Sequence, residues 1–161
     1  MTAIVRQAVP ADEEALFDLL LALHRGGLGA AFPYDHAKVV AALQHGTRQR
    51  GGIIGVIDAP DREGFIVASV GLLVEEWWWS RCCFLEERWC FVRPEYRRGT
   101  DYFAALKAFS EDCRRQMATS QAEPFVLESS FVEADSYVVR LKERLWRRWG
   151  RKVGGVFISG F

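Results

Sequence analysis

The chain has no net charge, because 21 lysines and arginines balance 21 aspartates and glutamates. That balance removes the global field that draws a protein onto nucleic acid or an anionic membrane. No apolar run approaches the ~20 residues that a membrane-spanning helix needs. The N-terminus lacks the basic-then-apolar layout of a secretory signal. Histidine is scarce, and His24, His36 and His45 form no ligand pattern. The cysteines (Cys82, Cys83, Cys90, Cys113) show no C-x-x-C spacing, so a zinc signature is missing, and adjacent Cys82 and Cys83 are poorly placed to bridge each other. A reduced cytoplasmic protein without membrane attachment or structural metal is expected. What is present is ordinary globular composition: 50% of residues are apolar and 26% charged. At 161 residues, with no repeat and no linker, the sequence predicts a single domain over 1–161 with room for a core.

The apolar pattern alternates between strand and helix periods. Ala3 to Val9 reads as a first strand, and Pro10-Ala11-Asp12-Glu13-Glu14 as a helix start with acids where the helix dipole favours them. Leu16, Leu19, Leu20 and Leu23 recur at helical spacing to about His24. Asp35 is placed to cap a second helix carrying Val39, Val40 and Leu43, closed by Gly51 and Gly52. Ile53 to Asp58 and Phe65 to Val74 predict a hairpin around a turn at 59–64, and Phe84 to Val92 a further strand. A helix follows with Tyr102, Leu106, Phe109, Cys113 and Met117 on one face, capped by Thr100 or Asp101. Pro124 to Phe131 predicts a strand, Asp135 to Trp149 a helix and Val153 to Ser159 a last strand. The order β-α-α-β-β-β-α-β-α-β is mixed α/β, antiparallel at its start.

The most informative stretch is Cys90-Phe91-Val92-Arg93-Pro94-Glu95-Tyr96-Arg97-Arg98-Gly99-Thr100-Asp101-Tyr102. It runs from an aromatic strand through a basic turn into an amphipathic helix. The start of a helix leaves backbone N–H groups directed outward, and together with the positive end of the helix dipole they suit a phosphate. Arg97 and Arg98 add two cations to that turn.

Val92-x-Pro94-Glu95-Tyr96-Arg97-Arg98 resembles the start of the cofactor loop in the GNAT superfamily, the acyl-coenzyme A-dependent N-acyltransferases. That loop usually continues Arg/Gln-x-x-Gly-x-Gly/Ala. Here Arg97 matches the first position, Thr100 and Tyr102 replace the small residues, and Gly99 stands one place early. Arg6-x-Ala8-x-Pro10-Ala11-Asp12 is similar to the family's first strand exit, and Leu145-Trp146-Arg147-Arg148-Trp149-Gly150 to its final helix, where Trp146 replaces a tyrosine and Val139 an asparagine. The loop without its usual glycines is similar to that of GNAT members encoded by phages and prophages. The resemblance implies the GNAT fold over nearly the whole chain, with acetyl-CoA as acyl donor. It implies cofactor contacts at Phe91, Val92, Arg97, Arg98, Gly99, Thr100, Asp101 and Tyr102, with main-chain donors near Phe91 and Val92 meeting the pantetheine arm and thioester.

Acyl transfer to an amine needs the thioester held in line, its carbonyl polarised and the ammonium deprotonated. An alkyl ammonium has a pKa near ~10, so a base is required at neutral pH. Glu86 and Glu87 alternate to opposite faces of a strand. Glu87, four residues before Phe91 and near the family's usual base, is the candidate, beside the alternative that both are solvated edge charges. Neither Tyr137 nor water is singled out as the acid that protonates the leaving thiolate. Cys82, Cys83 and Cys90 read as small buried residues.

Trp77-Trp78-Trp79 cannot all face one core, so at least one is exposed or in a loop, as part of a core edge, an aromatic wall or a homodimer contact. The last helix is basic through Arg140, Lys142, Arg144, Arg147 and Arg148, which reads as a solvated face or as a seat for the cofactor's 3′-phosphate, nucleic acid or an acidic partner. The function implied is transfer of an acetyl group from acetyl-CoA to a primary amine. The alternative is a GNAT-fold binding protein without turnover that contacts protein or nucleic acid.

Overall fold

Leucines at helical spacing turn the first long segment into α1 (Glu13–Gly26), entered through a 3-10 turn at Pro10–Asp12. Pro10 suits the turn because its φ is already set, and the Asp12 carboxylate accepts from the Val9 N–H at 2.8 Å. α1 buries Leu16, Leu19, Leu20 and Leu23, as their spacing predicts. α2 (His36–Thr47) begins at Asp35, whose carboxylate accepts from the Lys38 N–H at 3.0 Å, so the expected cap is present. These positions come from a computed structural model that describes residues 3–26, 30, 32–76, 78–79, 81, 83–117, 126–127, 140 and 144.

β1 (Arg6–Gln7), β2 (Gly52–Ala59), β3 (Arg62–Glu76) and β4 (Cys83–Val92) lie side by side in antiparallel order. β5 (Val126–Leu127) joins the far edge of β4 in parallel, Leu85 opposite Val126 and Glu86 opposite Leu127. The fold is the mixed α/β arrangement expected, through β5. The β2–β3 hairpin is tighter than the turn expected at 59–64: Ala59 pairs with Arg62, and irregular register at Ile57–Ala59 absorbs the mismatch. Of the expected strand from Pro124 to Phe131, Val126 and Leu127 are described. Of the expected helix from Asp135 to Trp149, Arg140 and Arg144 are described, both helical and exposed. The strand expected at Val153 to Ser159, together with Val139 and Trp146, lies outside the described residues.

The sheet is covered on both faces. α1 and α2 close over Ile54, Val56, Ile66, Trp89 and Phe91. α3 (Tyr102–Met117) closes over Val70, Leu72, Leu85, Cys90 and Val92. The buried centre of α3 is Phe103, Leu106, Lys107, Ser110 and Cys113, so the predicted stripe is rotated, with Tyr102, Phe109 and Met117 half-buried at its margins. Polar Lys107 and Ser110 occupy mid-face positions, which a count of apolar residues passes over. Leu16, Leu43, Leu85 and Leu106 are sealed from solvent, and truncating any of them to alanine would cost about 2–5 kcal/mol.

Candidate active site

β4 changes phase in its middle. Gly71 of β3 pairs with Trp89 and Leu72 pairs with Glu87, so Arg88 is an extra residue with no partner across the ladder. Before this bulge Leu85 and Glu87 lie on the α3 side; after it, Cys90 and Val92 do, while Trp89 and Phe91 turn toward α1 and α2. Gly71 makes the bulge fit, because a Cβ there would collide with the Trp89 indole. The indole N–H donates to Ser69 Oγ at 3.2 Å.

The two carboxylates of β4 therefore have different surroundings. Glu86 is partly exposed and pairs with Arg88 at 2.9 Å, which also reaches Glu75 at 2.8 Å. Glu87 is 3% exposed. Facing it from α3 is Lys107, 4% exposed, whose Nζ lies 3.2 Å from Glu111; Arg114 holds the other Glu111 oxygen at 2.9 Å. Burial draws the Lys107 pKa down, opposed first by Glu111 and then by Glu87 and Cys90. Burial pushes Glu111 up, but the hydrogen bond from Arg114 and the charge of Lys107 outweigh it and hold that carboxyl below its ordinary range.

The turn after β4 folds tightly. Pro94–Tyr96 form a 3-10 turn, Gly99 adopts φ +70°, and the first bond within α3 runs from the Ala105 N–H to the Asp101 carbonyl at 2.9 Å. Gly99 thus supplies the left-handed residue that the turn requires, one place ahead of the family pattern. Tyr102 packs against the core, which turns its side chain away from the helix entrance. Arg98, Gly99, Thr100 and Asp101 are exposed. Arg97 is half-buried: its Nε donates to the Val92 carbonyl at 2.8 Å, and its guanidinium lies 5.4 Å from the Phe91 ring centre. The side chains expected to cap α3 are engaged elsewhere, the Thr100 hydroxyl donating to the Tyr96 carbonyl at 2.8 Å and the Asp101 carboxylate accepting from the Ala3 N–H at 3.3 Å. Phe91 and Val92 are both buried. Arg93 N–H donates to Val67 on β3, so by ladder alternation the Phe91 N–H also points to β3, and the Val92 N–H points to the opposite edge.

Sequence reasoning missed Arg93 and Lys107. Arg93 is buried; its guanidinium donates to the Ile66 carbonyl at 3.0 Å and to Asp18 of α1 at 2.6 Å, beneath Phe65. Neither leaves a clear pattern, although Lys107, Glu111 and Arg114 stand at the helical spacing of an ion row. One finding corrects a single residue. Cys83 is exposed where burial was expected, because it opens β4 at the hairpin tip. Trp78 and Trp79 are 88% and 61% exposed and meet edge to face at 4.8 Å. Burial pushes the Cys113 thiol up to about 11, which makes it inert.

A groove of about 380 Å³ runs between β1 and α3, lined by Ala3, Val5, Asp101, Ala104, Ala108 and Phe109. Another of about 260 Å³ lies between α1 and α2, lined by Glu13, Glu14, Phe17, His36, Val40 and Leu43. Among the described residues no His, Cys, Asp and Glu grouping could hold a metal, and no helix is long and apolar enough to cross a membrane.

No protein-family model matches the sequence, and no curated protein does. Solved structures do match the fold. An acetyltransferase of Trypanosoma brucei gives a TM-score of 0.64 at 18% identity, covering 98% of this chain and 99% of that one. A GNAT family acetyltransferase of Staphylococcus aureus gives 0.62 at 14% identity, covering 100% of both. An aminoglycoside acetyltransferase from an uncultured soil metagenomic sample, in complex with sisomicin, gives 0.66 at 13% identity, covering 98% and 96%. The chain has the GNAT fold, as its motif resemblance implies; at these identities the likeness is one of fold.

Proposed function

We propose that the chain is an acyl-CoA-dependent N-acyltransferase that moves an acetyl group from acetyl-CoA to a primary amine. The observation that carries this reading is the passage from β4 through the basic turn into α3, set in a fold shared with acetyltransferases. The entrance of α3 offers N–H donors and a positive dipole end for the pyrophosphate, with Gly99 shaping the turn and Tyr102 folded out of the way. Arg98 stands in solvent to meet the phosphates, while Arg97 braces the turn against the Val92 carbonyl. The outward Val92 N–H is the main-chain donor for the pantetheine arm or the thioester carbonyl.

In the reaction Glu87 takes a proton from the ammonium, directly or through water. The amine lone pair attacks the thioester carbon, the C–S bond breaks as the tetrahedral intermediate collapses, and the second proton shed by nitrogen passes through water to the leaving CoA thiolate. Glu86, partly exposed and tied to Arg88, is the matched control for Glu87.

Asp101 favours the runner-up, a GNAT-fold binding protein without turnover, because it places an exposed carboxylate where a pyrophosphate would lie. Calorimetry with acetyl-CoA decides between them. Micromolar binding that weakens in Arg98→Ala, together with release of free CoA thiol in the presence of amines, supports the enzyme. No binding at millimolar cofactor removes it.

A further inference from the structure

Arg93 stands where β4 ends and the basic turn begins, and its main chain serves both. Its N–H donates to the Val67 carbonyl of β3 at 2.9 Å, and its carbonyl accepts from the Tyr96 N–H at 2.9 Å. The next residue, Pro94, has no N–H with which to continue a ladder. Among the described residues, the Tyr96 and Arg97 amides bond back to Arg93 and Pro94, inside the turn itself. Main-chain bonding therefore sets the shape of this segment but not its seat on the sheet. That falls to side chains.

The Arg93 side chain turns inward, and the residue is 8% exposed. Its Nε donates to the Ile66 carbonyl of β3 at 3.0 Å, and its Nη2 to Asp18 of α1 at 2.6 Å. Ile66 adjoins the register shift between β2 and β3, where a strand carbonyl loses its regular ladder geometry, and the guanidinium supplies a donor there. The same group lies 4.5 Å from the Phe65 ring centre, and Phe65 meets Tyr96 of the turn at 6.5 Å. One planar fork thus joins β3, α1 and the turn, which the single nitrogen of a lysine could not do.

We propose that Arg93 is a positioning residue for the cofactor turn: its guanidinium clamps the end of β4 to β3 and α1, and so sets where the Val92 N–H, Gly99 and the entrance of α3 stand. This role presupposes the reading in which that turn takes acetyl-CoA. The bonded nitrogens of Arg93 face into the protein, so it acts through the turn and not on the ligand. A turn already in place spares the cofactor the cost of ordering it.

Residual dipolar couplings of the backbone amides, measured on the full chain, read the orientation of Gly99, Thr100 and Asp101 against β2 and β3. In Arg93→Met those turn couplings are expected to depart from the wild-type orientation while those of α2 keep it. Acetyl-CoA affinity by calorimetry falls about tenfold in the same variant, the worth of ordering one or two groups on binding. Asp18→Ala removes only the exposed end of the ion pair, and it decides where Arg93→Met does not fold. It is expected to move the same amides and to weaken binding about threefold. Unmoved turn couplings in the deciding variant overturn the proposal even if the melting temperature falls, because Arg93 is then purely structural. Couplings that move with no change in affinity overturn it too, since the phosphates then lie outside this turn. A wild type that binds no acetyl-CoA at millimolar cofactor removes the cofactor reading instead, and moved couplings then keep Arg93 only as the residue that seats the turn.

Discussion

Two charged regions lie along one stretch of chain and are built in opposite ways. At the turn before α3, Arg98, Thr100 and Asp101 stand in solvent and Arg97 is half-exposed. Beneath the middle of β4, Glu87 and Lys107 are buried between sheet and helix, and Glu111 and Arg114 carry the ion row of Lys107 toward the surface. Water screens the first set, so each of those charges acts nearly alone and is available to a ligand. The second set has traded water for partners, so removing one member leaves another uncompensated. A ligand-facing charge should therefore alter binding with little effect on folding, and a buried one should do the reverse unless it also enters the chemistry.

Glu87 is the exception that tests this contrast hardest. Glu87→Gln is expected to lower turnover by about 10²-fold or more while acetyl-CoA affinity stays similar. Steady-state kinetics beside calorimetry measures both. Full activity in that variant would make the buried row purely structural, and a larger loss in Glu86→Gln would transfer the base to the other face of β4.

Lys107→Met comes next, with an expected stability loss of about 3–5 kcal/mol, because it breaks the buried ion pair with Glu111. Arg114→Ala, nearer the surface, should cost less than about 1 kcal/mol. Denaturant midpoints compare the two, and equal losses would show that burial does not grade the row.

The turn should respond in its own way. Arg98→Ala is expected to weaken acetyl-CoA binding about tenfold, near the worth of one charge-assisted hydrogen bond, with an unchanged melting temperature. Arg97→Ala should weaken binding and also lower the melting temperature, because the Val92 carbonyl loses its donor. Strong binding unaffected by either change would place the phosphates elsewhere. The smallest effect belongs to the hairpin tip, where Trp78→Ala should stay within about 0.5 kcal/mol of wild type by thermal melt.

Much of this was legible beforehand. The leucine spacing of α1, the Asp35 cap and the strand before the basic turn rest on neighbours in sequence, and the structure repeats them. The pair Glu86-Glu87 was legible as two opposed faces, but not which face is dry. Burial depends on Arg88 bulging out against Gly71 and Leu72, residues that belong to another strand. Lys107 was invisible for a similar reason: a lysine on an apolar helix face reads as an interruption until the sheet that buries it is in place.

By itself the sequence determined the order of strands and helices from β1 to β5 and the charged turn that opens α3, because apolar period, capping and turn chemistry act over a few residues. The tertiary structure decided the burial of Glu87 and of Lys107, the inward Tyr102 and the outward Val92 N–H. Each of those depends on which strand lies alongside and on the phase at which it pairs. In a sheet with alternating side chains, one inserted residue exchanges the two faces.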